Sequence, residues 1–176
     1  MRAVTAGWEM NSIEIRVLGP ACIEDYHAHL LRLPDGDRAL RLVSGNDERG
    51  VDGHCLRLLG AQAVLVGAAV DGVLRAALEI LPDRTGRRAD AVLTLEPDTP
   101  RNAVLPLLLA RLIDEARSYR LSEIRLHGLD DPGFAKRAAR AVDVDVEIET
   151  SVVLRFRSGA PARMARKIPA PVAAYA

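Results

Sequence analysis

Apolar and polar residues alternate from Ser12 to Leu18, with Ile13, Ile15 and Val17 set against Glu14 and Arg16, which predicts a strand. Gly19-Pro20 ends it, and Pro20 can open a helix at its first position. Ile23, Tyr26, Leu30 and Leu33 then follow helical spacing up to Pro34. From Pro34 to Gly45 the chain is a polar connection whose DRALRL run can add a helical turn. Asp47 can cap a second helix with Val51, Cys55, Leu58 and Leu59 on its inward face. Two apolar runs, Gln62 to Val70 and Val73 to Leu81, flank Asp71-Gly72, a strong short-range hairpin signal. Pro82 to Arg88 reads as a turn-rich loop carrying Arg84, Arg87 and Arg88.

The central stretch is Ala91 to Arg117. Ala91, Leu93 and Leu95 alternate with Val92, Thr94 and Glu96, a strand that should end at Pro97, which has no N–H for a ladder. Leu105, Leu108, Leu109, Leu112, Ile113 and Ala116 make one helical apolar stripe. Pro106 belongs in a first turn, where its missing N–H has no partner to lose. This predicts a helix starting near Asn102 or Ala103, capped by Asn102, with the N–H groups of Ala103, Val104 and Leu105 open to an anion beside Arg101. Glu123 to His127 is a further strand, and Asp131 to Ala141 a short helix with Pro132 near its start. Val142 to Glu149 alternates strictly, and Val152 to Arg157 is the last strand. Their faces agree if an odd number of residues connects them, which would set Glu147 opposite Arg155 and Asp145 opposite Arg157. The acidic row from Asp143 to Glu149 reads as a solvated face.

Composition narrows the possibilities. A chain of 176 residues fits one domain on the usual scale of ~100–200 residues. Formal net charge is zero and aromatics are 3%, so neither a basic surface nor a stacking platform for nucleic acid is indicated. Only Lys136 and Lys167 among the 24 basic residues are lysines; with so much alanine, that bias reads as genome composition ahead of arginine-mediated binding. No run approaches the ~18 apolar residues of a membrane span. Cys22 and Cys55 form no CxxC pattern and no secretory leader is visible, so a cytoplasmic protein with free thiols is expected. His27 and His29, at i and i+2, do not face one another, and with the cysteines they match no common zinc spacing, so no metal is expected. His54 and His127 read as surface or satisfied core histidines. Met1 to Asn11 reads as an N-terminal arm, 12–157 as the folded domain, and 158–176 as a basic Ala/Pro-rich tail.

The strand, E-P-D, short loop and leucine-rich helix resemble the acyl-CoA-binding core of the GNAT superfamily of N-acyltransferases, and the element order matches over residues 12–157. The resemblance implies an α/β fold with a mixed, mostly antiparallel, splayed sheet and helices on both faces. It implies acetyl-CoA or another acyl-CoA as co-substrate, and direct transfer to a small-molecule or protein amine. In that family a [Q/R]-x-x-G-x-[G/A] loop holds the CoA pyrophosphate on its backbone amides. In register stand Pro100, Arg101, Asn102, Ala103, Val104 and Leu105, so Ala103 and Leu105 take the glycine positions and Pro100 the Gln/Arg position. Leu95 is the matching strand residue that serves the pantetheine arm. Pro132 falls where an Asn is common, and no tyrosine follows in that helix to protonate the leaving thiolate. Glu79 and Glu96, on central strands, are the candidate general bases, although Glu79 could equally pair with Arg75 or the Arg84–Arg88 loop. A catalytically silent module binding CoA, another anion or a protein is the alternative, and a homodimer through the last strands or tail is a further expectation.

Overall fold

The structure, a computed structural model, describes residues 12–39, 42, 45, 47–140, 144–148 and 151–156. The expected arm, the tail and the last strand's Arg157 lie outside these residues. The strands are β1 (Ile13–Leu18), β2 (Val64–Val70), β3 (Val73–Pro82), β4 (Arg88–Leu95), β5 (Glu123–His127), β6 (Val144–Ile148) and β7 (Val152–Phe156). The helices are α1 (Ile23–Arg32), α2 (Asp35–Ala39), α3 (Glu48–Gly60), α4 (Arg101–Ser118) and α5 (Gly133–Arg140), with a 3₁₀ turn at Pro20–Cys22 before α1. One seven-stranded sheet runs in the order β1-β2-β3-β4-β5-β7-β6. Only β4 and β5 pair in parallel; every other neighbouring pair is antiparallel.

Several sequence signals act as expected. Asp71 and Gly72 both take positive φ, 51° and 80°, which turns β2 tightly into β3 with Val70 opposite Val73. The Asp47 side chain accepts the Gly50 N–H at 3.0 Å and caps α3. The leucine stripe of α4 is buried with α5 against one face of the sheet, through residues such as Val66, Leu78, Leu93 and Leu126. Tyr26 and Leu30 from α1 and Leu33 just after it, with Val51, Cys55 and Leu58 from α3, pack on the other face against Leu65, Leu74 and Ala77. Helices therefore cover both faces, but α1 and α3 sit over the β1–β4 half.

A bulge in β3 shapes the middle of the sheet. Ala68 pairs with Ala76 but Ala69 pairs with Leu74, so Arg75 is the extra residue. The extra residue flips the side-chain parity. Leu74 joins the α1/α3 core, whereas Ala76, Leu78 and Ile80 join the α4/α5 core. The Arg75 carbonyl then accepts from the Glu96 N–H at 3.0 Å and from the Thr99 hydroxyl at 3.1 Å. This fixes the loop that leads from β4 into α4.

Two expectations are corrected. The helix α4 begins at Arg101, with Pro100 at the N-cap position and no side-chain cap, so Asn102 lies within the first turn. Pro106 is thus inside the helix, not in its first turn. The bond it forgoes is to the Asn102 carbonyl, and both residues are exposed, so water can meet that carbonyl. The β6–β7 register also differs by two residues. Asp145 lies opposite Arg155, and Glu147 opposite Val153. The charge partnership survives as a diagonal: Arg155 donates to Glu147 at 2.7 Å and to Glu123 at 3.3 Å.

One buried charge in α4 is poorly matched. Glu115 is 3% exposed; one oxygen meets Arg111 at 2.6 Å and the other has no hydrogen-bond partner. Replacing both members of a half-satisfied buried pair by apolar residues of similar size relieves its desolvation cost. The double variant Arg111→Met with Glu115→Met is therefore expected to raise Tm by roughly 2–4 °C in a thermal melt, the equivalent of about 1 kcal/mol at this chain length.

Candidate functional site

The parallel pair β4–β5 registers from Arg88↔Glu123 to Val92↔His127. There β5 ends, and Gly128 turns the chain away at φ 79°, while β4 runs on to Leu95. The sheet splays at this point, and a cleft of about 560 Å³ opens beside it. Its walls include Leu93, Thr94 and Leu95 of β4, His127 at the end of β5, Glu79 of β3 and His54 of α3; Arg101 and Asp130 stand at its mouth. Because the Glu96 N–H donates to Arg75 in β3, strand alternation turns the Leu95 amide and carbonyl the other way, toward the cleft. Backbone polarity at the end of β4 is thus presented to whatever enters.

The two nominated carboxylates have opposite fates. Glu96 is 3% exposed and lies at the centre of a buried network. Its Oε1 accepts from Arg32 Nε and from His29 Nδ1, both at 2.9 Å, and its Oε2 accepts from Arg75 at 2.7 Å. Arg32 also donates to the Leu74 carbonyl at 2.7 Å. Burial alone would raise the Glu96 carboxyl, but the hydrogen bonds from Arg32, Arg75 and His29 outweigh it and hold the group below the usual carboxylate range. Burial pushes the fully buried His29 imidazole down, against the opposing pull of Glu96. His29 bridges two groups: Nδ1 meets Glu96 and Nε2 meets the Thr94 hydroxyl, each at 2.9 Å, and that hydroxyl in turn donates to the Ala77 carbonyl at 3.2 Å. A carboxylate held ionised by three donors is a poor proton acceptor. Of the two candidate bases Glu96 is thus the less suited, and it acts as a clamp that joins α1, the β3 bulge and the end of β4.

Glu79 faces the cleft instead. Its Oε1 accepts from the Tyr26 hydroxyl and from His54 Nε2, the latter at 3.0 Å. The Arg75 alternative for Glu79 is overturned, since that guanidinium goes to Glu96. His54 and Glu79 side chains are 12% and 4% exposed, and both line the cleft. With Nε2–H directed to the carboxylate, the free lone pair of His54 is on Nδ1. Sequence reasoning read His54 as a surface or satisfied core histidine and weighed His29 only as a metal ligand. The signal was present: His54 sits three residues after Val51 and four before Leu58, and His29 three after Tyr26, so each occupies an inward stripe. His27 instead meets Asp52 at 2.9 Å near the surface, and His127 meets Asp90 at 3.0 Å. No group of three metal-ligating side chains occurs among the described residues. Nor is any described helix long and apolar enough to cross a membrane. Burial, then the charges of Glu79 and Asp52, push the Cys55 thiol up to about 11, so it is protonated and no nucleophile.

The start of α4 differs from the expectation more sharply. The N–H groups of Ala103 and Val104 both donate to the Pro100 carbonyl at 3.0 Å, and Leu105 is fully buried in the core. The Arg101 guanidinium donates to Asp130 at 3.0 Å. Of Leu95, Arg101, Asn102, Ala103, Val104 and Leu105, only Leu95 and Arg101 line the cleft.

Solved structures similar in shape include several acetyltransferases. An acetyltransferase of the GNAT family from Streptococcus pneumoniae has a TM-score of 0.54 and 14% identity, covering 81% of this chain and 96% of that one. The GNAT domain of S. lividans PAT gives 0.58 and 13%, covering 86% and 97%. The PaiA N-acetyltransferase of Thermoplasma acidophilum, in complex with coenzyme A, gives 0.53 and 17%, covering 82% and 99%. The chain therefore has the GNAT acetyltransferase fold: a mixed, mostly antiparallel sheet with helices on both faces. No family sequence profile matches it, and no curated protein matches it by sequence. The Thermoplasma acidophilum structure holds coenzyme A, and the two ends of that molecule make different demands on the cleft seen here. The splay and the Leu95 amide suit a pantetheine arm; the engaged amides of Ala103 and Val104 do not form a pyrophosphate cradle.

Proposed function

We propose that the protein is an acyl-CoA-dependent N-acyltransferase, with acetyl as the first acyl group to test, acting on a small-molecule or protein amine by direct transfer. The observation that carries this reading is the His54–Glu79 pair on the wall of a cleft that opens where β4 and β5 part. The thioester, when bound, supplies the activated acyl carbon. His54 Nδ1 takes the proton of the attacking amine, while Glu79 holds the imidazole in one tautomer and stabilises the cation it becomes. Tyr26 secures the same carboxylate from α1. The Leu95 amide orients the donor. His127, braced by Asp90, is the cleft's second imidazole; α5 carries no tyrosine, so the departing thiolate takes its proton from water at the exposed side of the cleft. The protonated Cys55 supports direct transfer over a covalent route.

A second reading, a catalytically silent module of the same fold, is favoured by the engaged helix start and by Asp130 on Arg101. Calorimetric titration with acetyl-CoA tests the donor, beside a Leu95→Pro variant. Proline there keeps the β3 ladder, because the lost N–H faces the cleft. Binding at or below about millimolar concentration, weakened roughly threefold to tenfold in the variant, is expected for one lost hydrogen bond. No heat at millimolar acetyl-CoA would overturn the acyltransferase reading.

A further inference from the structure

We infer that the cleft recognises its thioester donor through the pantetheine arm and takes little from the nucleotide phosphates, an inference that rests on the acyltransferase reading above. Coenzyme A joins a thiol-bearing pantetheine arm to a pyrophosphate and a phosphorylated adenosine. The two halves ask for different things from a protein. Pantetheine is an amide chain and needs a strand edge; the phosphates need several free N–H groups or unpaired cations.

The strand edge is present. Beyond Val92↔His127, β4 continues to Leu95, whose amide and carbonyl turn into the cleft, and the Glu96 clamp fixes that segment from behind. The phosphate half is answered differently. Because α4 starts at Arg101, the residues in register with the family's loop are a helical turn. Pro100 has no N–H, and those of Ala103 and Val104 close on the Pro100 carbonyl, which leaves Arg101 and Asn102 as the helix start's open donors. The nearest cation, Arg101, is paired with Asp130. Asp131 follows it in the chain, and its Oδ1 takes the Gly133 N–H at 2.8 Å at the start of α5. Asp130 holds the Arg101 guanidinium and Asp131 the Gly133 N–H, so two carboxylates stand beside the helix starts, where a pyrophosphate would add further negative charge. Of α4, Arg101 alone lines the cleft.

The test is calorimetric titration of the full chain with three probes: coenzyme A, pantetheine, and adenosine 3′,5′-bisphosphate. Coenzyme A and pantetheine are expected to bind within about threefold of each other, and the bisphosphate to give no heat at millimolar concentration. Raising salt from about 50 to about 300 mM is expected to change the coenzyme A affinity less than twofold. Coenzyme A binding some thirtyfold tighter than pantetheine, or a steep salt dependence, would overturn this inference and leave the acyltransferase reading standing. Absence of binding by both would remove the two together.

Discussion

Replacing Glu96 by alanine is expected to lower stability by about 2–4 kcal/mol and Tm by roughly 5–15 °C. The carboxylate is buried, and its removal strands three donors at once. His29, fully buried, loses its Nδ1 acceptor and keeps only Thr94. Arg32 and Arg75 are 37% and 39% exposed and can turn to water, which holds the loss to the lower part of the range for broken buried pairs. Glu96→Gln keeps the shape and one acceptor and should cost less than the alanine. The pH dependence has a definite sign. Both Glu96 and His29 have folded values below their ordinary ones, so the unfolded chain binds more protons and stability falls with acidification. The His29 contribution is complete above its ordinary 6.5 and is lost below it; that of Glu96 is complete above its ordinary 4.5 and is lost below that. Denaturant melts between pH 8 and pH 4 are therefore expected to show a loss that begins near neutrality. A melt unchanged by Glu96→Ala would contradict the clamp.

His54→Gln is expected to lower kcat by about 10²–10⁴, the usual range for a lost general base, with donor affinity changed little. The substituted side chain is polar and of similar length, so the cleft wall is kept. Glu79→Gln should lower kcat by a smaller factor, because it leaves the imidazole in place and removes only the charge that orients it. Added imidazole should restore part of the rate of His54→Gln and leave that of Glu79→Gln unmoved. A merely structural histidine would shift Tm and show no such rescue.

The order of elements was legible because it rests on two periods, 2 and 3.6, and on local punctuation such as Asp71-Gly72 and Asp47. What sequence pattern misjudged has physical causes. The start of α4 was read from Pro106, but Pro100 sets it: φ at −69° leads directly into the first turn, and the carbonyl that Pro106 leaves unbonded lies at the surface. The β6–β7 faces were legible, since three residues connect the strands, but alternation looks the same after a slip of two. Glu79 and Glu96 look alike on paper, each an acid on a central strand. Their roles separate only through partners that arrive from α1 and α3, His29 being 67 positions from Glu96 and His54 25 from Glu79. Of the residues the family resemblance singled out, Leu95 lines the cleft, whereas the N–H groups of Ala103 and Val104 bond to the Pro100 carbonyl and Leu105 is buried in the core.

The measurement that tests the central claim most directly is thiol release from acetyl-CoA with a panel of primary amines, for the wild-type chain and His54→Gln, with the N-acetyl product identified by mass. The account predicts amine-dependent release by the wild type, matched by acetylated product and lowered at least about a hundredfold in the variant. Release that no amine stimulates, or a His54→Gln rate equal to the wild type's, would contradict it.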